Sequence, residues 1–402
     1  MNGTFKLVAP LLVALTIAAC NGGSSNVPAS PGQSTAQTRF HSVVPEWLAK
    51  GLARPVCPQL TGKPACMALT EKGIQPACTG SSCGIAPSEL QARYKLPITK
   101  GSGEIVAIVD AGDNPDVASS LATYRTEFGL GTANFFKYNQ TGQQSNYPPP
   151  CCGFPVEIAL DVEMVSASCP LCTIYLVEAN SASSSDLSAA EMEAQTLGAK
   201  IISNSYSCQT TSGSCGLTGF DTSGIMYLAS SGDSGYDNYG PPSTFPTVVA
   251  VGGTQITGGG TGETVWDGAG AGCVSGMTKP SWQHDPDCTG RTDSDISAQA
   301  GVSPGVSVYD EYDGGWFGVG GTSAATPLVA GVFALAGNAS HLDAAKKFWT
   351  LKKKKLKHDL HAITTGNDGS CGGEYLCTAG TGQYKTYSGP GGWGTPNGIK
   401  AF

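Results

Sequence analysis

From Ile85 to Gly337 the chain alternates short, apolar, β-branched runs with stretches of helical periodicity, and few architectures accept that order. "EIVAIVDAG", "TIYLVEAN", "KIISNSYS" and "TVVAVGGT" are continuous apolar runs without the in-and-out pattern of a half-solvated strand. They read as strands buried on both faces, as in a parallel sheet. Between and around them, "GIAPSELQARYKL", "DVASSLATYRTEFGL", "VEIALDVEMVSASC", "SSSDLSAAEMEAQTLGA" and "TPLVAGVFALAG" read as helices. The first opens at Pro87 and Ser88, and Asp186 is the expected N-cap of the fourth. The alternation predicts an α/β fold with a doubly wound, mostly parallel sheet and helices on both faces. Such sheets bind ligands beyond the carboxyl ends of their strands. Asp110, Ser205, Asp233 and Ser323 all stand at or just after those ends.

Charged residues make up 13% of the 402, about half the usual share, and the net charge is −8. That balance excludes a basic nucleic-acid-binding face and lacks the charge density of a disordered chain. "MNGTFK" followed by "LVAPLLVALTIAAC" is too short to span a bilayer and has the form of a signal peptide over residues 1–20. Its end, Ile17-Ala18-Ala19-Cys20, resembles a bacterial lipobox with Cys20 as the lipidated residue; ordinary cleavage that leaves Cys20 without a role is the alternative. The chain is thus expected to be an exported bacterial protein, secreted, periplasmic or membrane-anchored through lipid at Cys20. Residues 21–84 read as a polar tether and a short cysteine-rich segment, and residues 85–402 as the main domain.

Setting Cys20 aside leaves fourteen of the fifteen cysteines. An exported chain keeps its disulfides, and four near pairs suggest themselves: Cys78 with Cys83, Cys208 with Cys215, Cys273 with Cys288, and Cys371 with Cys377. Cys151, Cys152, Cys169 and Cys172 form a denser group whose "CPLC" spacing also suits a metal, although an oxidising compartment favours disulfides. The run "LKKKKLKH" reads as a solvated helix face or an insertion.

"GGTSAATP" precedes the last apolar helix. Its glycines allow a tight turn, and the helix offers free backbone N–H groups near Ser323, half of an oxyanion hole. A serine nucleophile needs a base within hydrogen-bond reach. None of the five histidines, His41, His284, His341, His358 and His361, follows a strand in a position to serve. Glu157 and Asp161 instead lie four apart on one helix face. A carboxylate acts as a base only near or above its own pKa, and two neighbouring carboxyls can share a proton. The turn "ASSGDSG" adds Asp233, which donates a hydrogen bond to an oxyanion only when protonated. Such an apparatus suits acid.

Taken with "EIALDVEMVSASCP", "IISNSYS", "SSGDSGY", "SDISAQA" and "GWGTPNG" in order, these motifs make residues 85–402 resemble the sedolisins, the serine-carboxyl peptidases of family S53. The resemblance implies a subtilisin-like fold and acid endopeptidase activity on unfolded proteins or peptides. It implies Ser323 as nucleophile, Glu157 as base, Asp161 as its orienting partner and Asp233 in the oxyanion hole. Asp110 occupies the place of the subtilisin-type aspartate and is expected to support the site without joining the catalytic set. Family members carry calcium on two aspartates, but Ala362 and Ser388 stand at those places here, with Asp359 and Asp368 nearby; no metal or other cofactor is therefore expected. The family's long propeptide also has no counterpart of similar length. The chain is expected to be a monomer, and the alternative function is a catalytically silent surface lipoprotein that binds peptides or partners on the same fold.

Overall fold

The computed structural model describes residues 45, 50–71, 78–210, 214–341, 343–372, 374–381 and 386–402. Cys20 and the tether that follows it lie outside the described residues.

Three short strands come first: β1 (Ala53–Pro55), β2 (Pro64–Cys66) and β3 (Leu69–Glu71). Helix α1 (Pro87–Tyr94) opens on a proline, where a missing N–H costs nothing. The βα alternation then runs β4 (Ile105–Ala111), α2 (Val117–Glu127), β5 (Asn134–Asn139), α3 (Phe154–Ser168), β6 (Thr173–Ala179), α4 (Ser184–Thr196) and β7 (Ile201–Asn204). After it come β8 (Tyr206–Cys208), β9 (Met226–Ser230), β10 (Val248–Thr257), β11 (Gly262–Val265), β12 (Gly272–Thr278), β13 (Gly290–Asp293), β14 (Ile296–Gln299), β15 (Val306–Asp310) and β16 (Gly315–Gly320). Helix α5 (Thr322–Ala336) carries Ser323 in its first turn. Two short helices, α6 (Ala344–Thr350) and α7 (Lys353–Asp359), follow.

The main sheet has the order β11-β10-β9-β7-β4-β6-β5, with β14 also paired to β10. Every pairing in it is parallel except β10 with β11. β4, β7, β9 and the first half of β10 are buried at nearly every position, which is why they read as unbroken apolar runs. The subtilisin-like, mostly parallel α/β architecture expected from the alternation is the one observed.

Two helices set the centre. All fifteen residues of α3 are buried. Helix α5 crosses it where Gly331 meets Ser168: a Cβ on Gly331 would collide with the Ser168 hydroxyl. The missing side chain lets the backbones approach at the far end of α3 from Glu157.

Helix α4 begins one turn earlier than the sequence suggests. Ser183 is its N-cap, accepting from Asp186 N–H at 3.2 Å, while the Asp186 carboxylate accepts from the Ser181 and Ser183 hydroxyls. Asp186 thus completes the cap from within the helix. The lysines of "LKKKKLKH" are exposed on α7 while Leu356 is buried, the solvated helix face expected. All four near cysteine pairs are bridged, and Cys57–Cys66 and Cys169–Cys172 join them, so "CPLC" closes a disulfide; Cys151 and Cys152 are unbridged.

Residues 53–71 are woven into the domain. β3 pairs with β16, β2 pairs with β8, and Ala53, Cys57 and Cys66 belong to the main core. If the contact at Gly331 fixes the helix crossing, Gly331→Leu should cost about 1–3 kcal/mol of stability from overpacking. An unchanged denaturant midpoint would remove that crossing from its central place.

Candidate active site

Ser323 owes its position to how α5 starts. Gly321 has φ 111°, a conformation that disfavours side chains, and a Cβ there would also strike the Met67 carbonyl and Asp233 Oδ2. The helix begins at Thr322, so the Ser323 N–H lies in the first turn and has no intrahelical acceptor. Pro327 lacks the N–H that would bind the Ser323 carbonyl, and that carbonyl takes a long contact from the Ser205 hydroxyl at 3.5 Å instead. The Ser323 hydroxyl donates to the Ser205 carbonyl at 3.1 Å.

The structure brings the sequence-derived residues together around this hydroxyl. Glu157 lies in the first turn of α3 and Asp161 one turn on; both are fully buried. Asp161 Oδ1 accepts from the Ser205 hydroxyl at 2.8 Å. Asp233 follows β9 and accepts from the Thr322 N–H at 2.8 Å and the Thr322 hydroxyl at 2.9 Å, both at Oδ1. Its Oδ2 has no hydrogen-bond partner among the described residues, nor does either oxygen of Glu157.

Burial governs the electrostatics. It holds the Glu157 carboxyl well above the usual range, and the charges of Asp161 and Asp110 push it further up; the nearby Ser323 hydroxyl draws it down slightly. Asp161 is raised by burial and Asp110, with the Ser205 hydroxyl opposing. Burial lifts Asp110, at the end of β4, to about 8. It lifts Asp233 to about 7 against the two Thr322 hydrogen bonds. Three carboxyls this close cannot all ionise in so dry a site, so Glu157, Asp161 and Asp110 share protons as a group. Asp233 is neutral in acid and can donate from Oδ2.

Sequence reasoning left two participants out of the site set. Ser205 bridges it, its hydroxyl on Asp161 and its carbonyl under the Ser323 hydroxyl. Its only sequence signal is a serine directly after an apolar strand. Met67 accepts the Ser323 N–H at 3.0 Å, and nothing in the local sequence marks it. The cleft is covered here: Ser323 is 0% exposed. An open cleft of about 540 Å³ lies to one side, lined by Val56, Glu71, Val156 and Trp316 among others.

Glu163 and Glu191 lie outside the site, Glu163 accepting from the Tyr309 N–H at 3.0 Å. The calcium positions of the resemblance hold few donors. Ala362 has no side-chain donor, the Ser388 hydroxyl accepts the Gly391 N–H, and the Asp359 carboxylate contacts the His358 ring, whereas the Asp368 carboxylate is buried with neither oxygen hydrogen-bonded among the described residues. Among the described residues no group of three His, Cys, Asp or Glu side chains could hold a metal.

Comparison with known proteins agrees with this geometry. The sequence profile of the subtilase family matches residues 138–364, more than half of the chain, and the chain belongs to that family. Within it the relatives are sedolisins, and the chain is sedolisin-like. It is 30% identical to xanthomonalisin of Xanthomonas sp. (strain T-22) over 190 residues, which are 41% of this chain and 22% of that protein. It is 26% identical to kumamolisin of Bacillus sp. (strain MN-32) over 285 residues, 62% of this chain and 51% of that protein. The matches thus span about half or less of these relatives' length. The solved Pseudomonas sedolisin, a serine-carboxyl proteinase complexed with pseudo-iodotyrostatin, superposes with a TM-score of 0.64 at 25% identity, covering 80% of this chain and 96% of that one.

The buried carboxyls set how stability depends on pH. Asp110 is raised to about 8, Asp233, Asp293 and Asp310 to about 7, and Glu178 to about 9. A carboxyl raised in the folded state keeps its proton there after the unfolded chain has lost it. Between about pH 4 and the raised value the native state therefore binds more protons, and stability falls as pH rises, by at most about 1.4 kcal/mol per unit for each group. The melting temperature should drop between pH 4 and pH 8. A rise over that range would contradict the burial of these groups.

Proposed function

We propose that the chain is an acid serine-carboxyl endopeptidase that cleaves unfolded proteins or peptides through an acyl-enzyme on Ser323. The observation that carries this reading is the cluster itself: a helix-first-turn serine, a carboxyl pair one turn apart on α3, and Asp233 bonded to the N–H of Thr322, the residue before that serine. In this reading Glu157, ionised while Asp161 or Asp110 holds the shared proton, takes the Ser323 proton as the hydroxyl attacks the scissile carbonyl. The Ser323 N–H and protonated Asp233 stabilise the oxyanion. Glu157 then returns the proton to the leaving amine, and water releases the acyl group by the same route reversed. Asp161, held by Ser205, orients Glu157. Ionising Asp233 above about 7 would both remove its donor and set a negative charge against the oxyanion, which confines the activity to acid.

Six disulfides, together with the predicted signal peptide, support an exported protein acting outside the cytoplasm. Lipid at Cys20 and a monomeric state belong to the same reading. Among the described residues no helix is long and apolar enough to cross a membrane.

Ser323→Ala should abolish cleavage of a denatured protein at pH 4, and Glu157→Gln should reduce kcat by at least about 10²-fold, since an amide cannot take the proton. Turnover by Ser323→Ala equal to that of the parent would end the enzyme reading. Activity that stays level up to pH 8 would end the carboxyl mechanism. The donor-poor region around Ala362 and Ser388 leads us to expect no calcium requirement, measured as an unchanged melting temperature in excess chelator; a large drop would show that a cation binds.

A further inference from the structure

One stretch of the chain runs against its overall charge. From Lys346 to Lys357 there are seven lysines and no acidic residue, in a protein with 23 lysines and arginines and a net charge of −8. The stretch folds as α6 and α7. Lys346, Lys352, Lys353, Lys354, Lys355 and Lys357 are exposed, and Lys347 is half-buried. Lys346 pairs with Asp343 at 3.4 Å, and the other six have no ion pair among the described residues. Burial, with the charge of Lys355 added, lowers the Lys347 ammonium to about 8, so positive charge on one helix already acts on the other.

These lysines stand on a fixed frame. Phe348 of α6 packs against Phe333 of α5 and against Phe402, with ring centroids 6.0 and 5.6 Å apart. The Trp349 indole N–H donates to Asp295 Oδ1 at 2.7 Å. On α7, Leu356 and Asp359 are three apart and buried, which fixes the inner side of the helix. Lys353, Lys354 and Lys357, spaced three and four apart, share the outer side. Just beyond, the Asn397 side-chain amide donates to the His358 carbonyl at 2.8 Å, and Leu360 pairs antiparallel with Pro396. Like charges at such spacings oppose a helix, and no described acid offsets those on α7. Anions from outside the chain relieve that repulsion.

We propose that α6 and α7 form a docking face for an anionic phospholipid bilayer. Charge complementarity is the first ground, because clusters of roughly four to eight basic residues are what anionic headgroups attract. The kind of cation and its layout point the same way. The six unpaired groups are all lysines, hydrated point charges without the rigid fork by which arginine grips one carboxylate or phosphate. They lie on an outward helix face, and none borders the open cleft near Ser323. That layout suits a plane of mobile charges better than one seated ligand. Lipid at Cys20, part of the reading above, supplies the setting, since an acyl chain and a basic patch are two signals that together attach a protein stably. The acyl chain keeps the domain at the bilayer, and the patch turns the acidic remainder of the chain away from it. Catalysis at Ser323 plays no part in this contact.

The test is cosedimentation with vesicles at pH 7, where the chain as a whole is negative and only a local patch can attract it to anionic lipid. The full chain carrying Cys20→Ala removes the acyl chain. It is titrated with vesicles of equal parts phosphatidylglycerol and phosphatidylcholine, and with phosphatidylcholine alone. Any apolar contribution is common to both and cancels in the ratio of partition coefficients. That ratio should be at least ~10². It should fall at least ~10-fold when NaCl is raised from about 0.1 M to about 0.5 M. Adding Lys353→Gln, Lys354→Gln, Lys355→Gln and Lys357→Gln together should lower it at least ~10-fold, with a melting temperature at or above the parent's and unchanged cleavage of denatured protein in solution. Lys63→Gln, Lys100→Gln, Lys200→Gln and Lys400→Gln, four exposed lysines elsewhere, make the same change in net charge and should lower the ratio less than ~3-fold. If the α7 variant does not fold, the lipid and salt dependence of the Cys20→Ala chain decides. Equal binding to both kinds of vesicle overturns the proposal, as does an equal loss in the two fourfold variants. Retention on polyglutamate or duplex DNA without binding to phosphatidylglycerol vesicles overturns it in favour of an acidic polymer.

Discussion

The close crossing of α3 and α5 at Gly331 and Ser168 is the contact on which the rest of the molecule depends. It holds side by side two buried helices, one with Glu157 and the other with Ser323 in its first turn. Each feature of the site follows. The Ser323 N–H has no intrahelical acceptor because α5 starts at Thr322, and Glu157 has no hydrogen-bond partner among the described residues, on a helix buried along its whole length. Ser205, coming off β7 at the carboxyl edge of the sheet, fills the gap between them. A parallel sheet delivers its strand ends to one edge, and there two helix starts and two turns converge.

Burying so many carboxyls opposes folding at neutral pH. A globular domain has only about 5–15 kcal/mol of net stability, so several groups held above their ordinary range form a large fraction of it. In acid the penalty fades, because these groups are neutral in both states. The condition that relieves the fold is also the one that protonates Asp233, the side-chain donor of the proposed oxyanion hole. Chemistry and stability thus share one set of titrations.

The architecture was largely legible in the sequence because its strands are fully buried, and burial writes an unbroken apolar run. β15 and β16 pair antiparallel at the periphery, and their mixed composition gave no such signal. The four residues of the candidate site, Glu157, Asp161, Asp233 and Ser323, could be singled out in the sequence because they sit in motifs with a stated chemistry. Ser205 was placed at a strand end but given no role, since a lone serine after a strand carries no chemistry of its own, and Met67 was not legible because it acts through its backbone carbonyl, and any residue carries one. The Asp186 cap was misplaced for a related reason: Ser183 and Asp186 can both cap a helix, and only the geometry shows which residue stands outside the first turn. Residues 53–71 looked separate from the domain because strands of three residues carry no periodicity.

All six bridges are short-range, joining cysteines no more than 15 positions apart. In the chain-entropy view each restrains only a small loop, which leaves the union of distant elements to the sheet and its two central helices. Under a reductant such a molecule should lose the order of these small loops before the sheet and helices come apart.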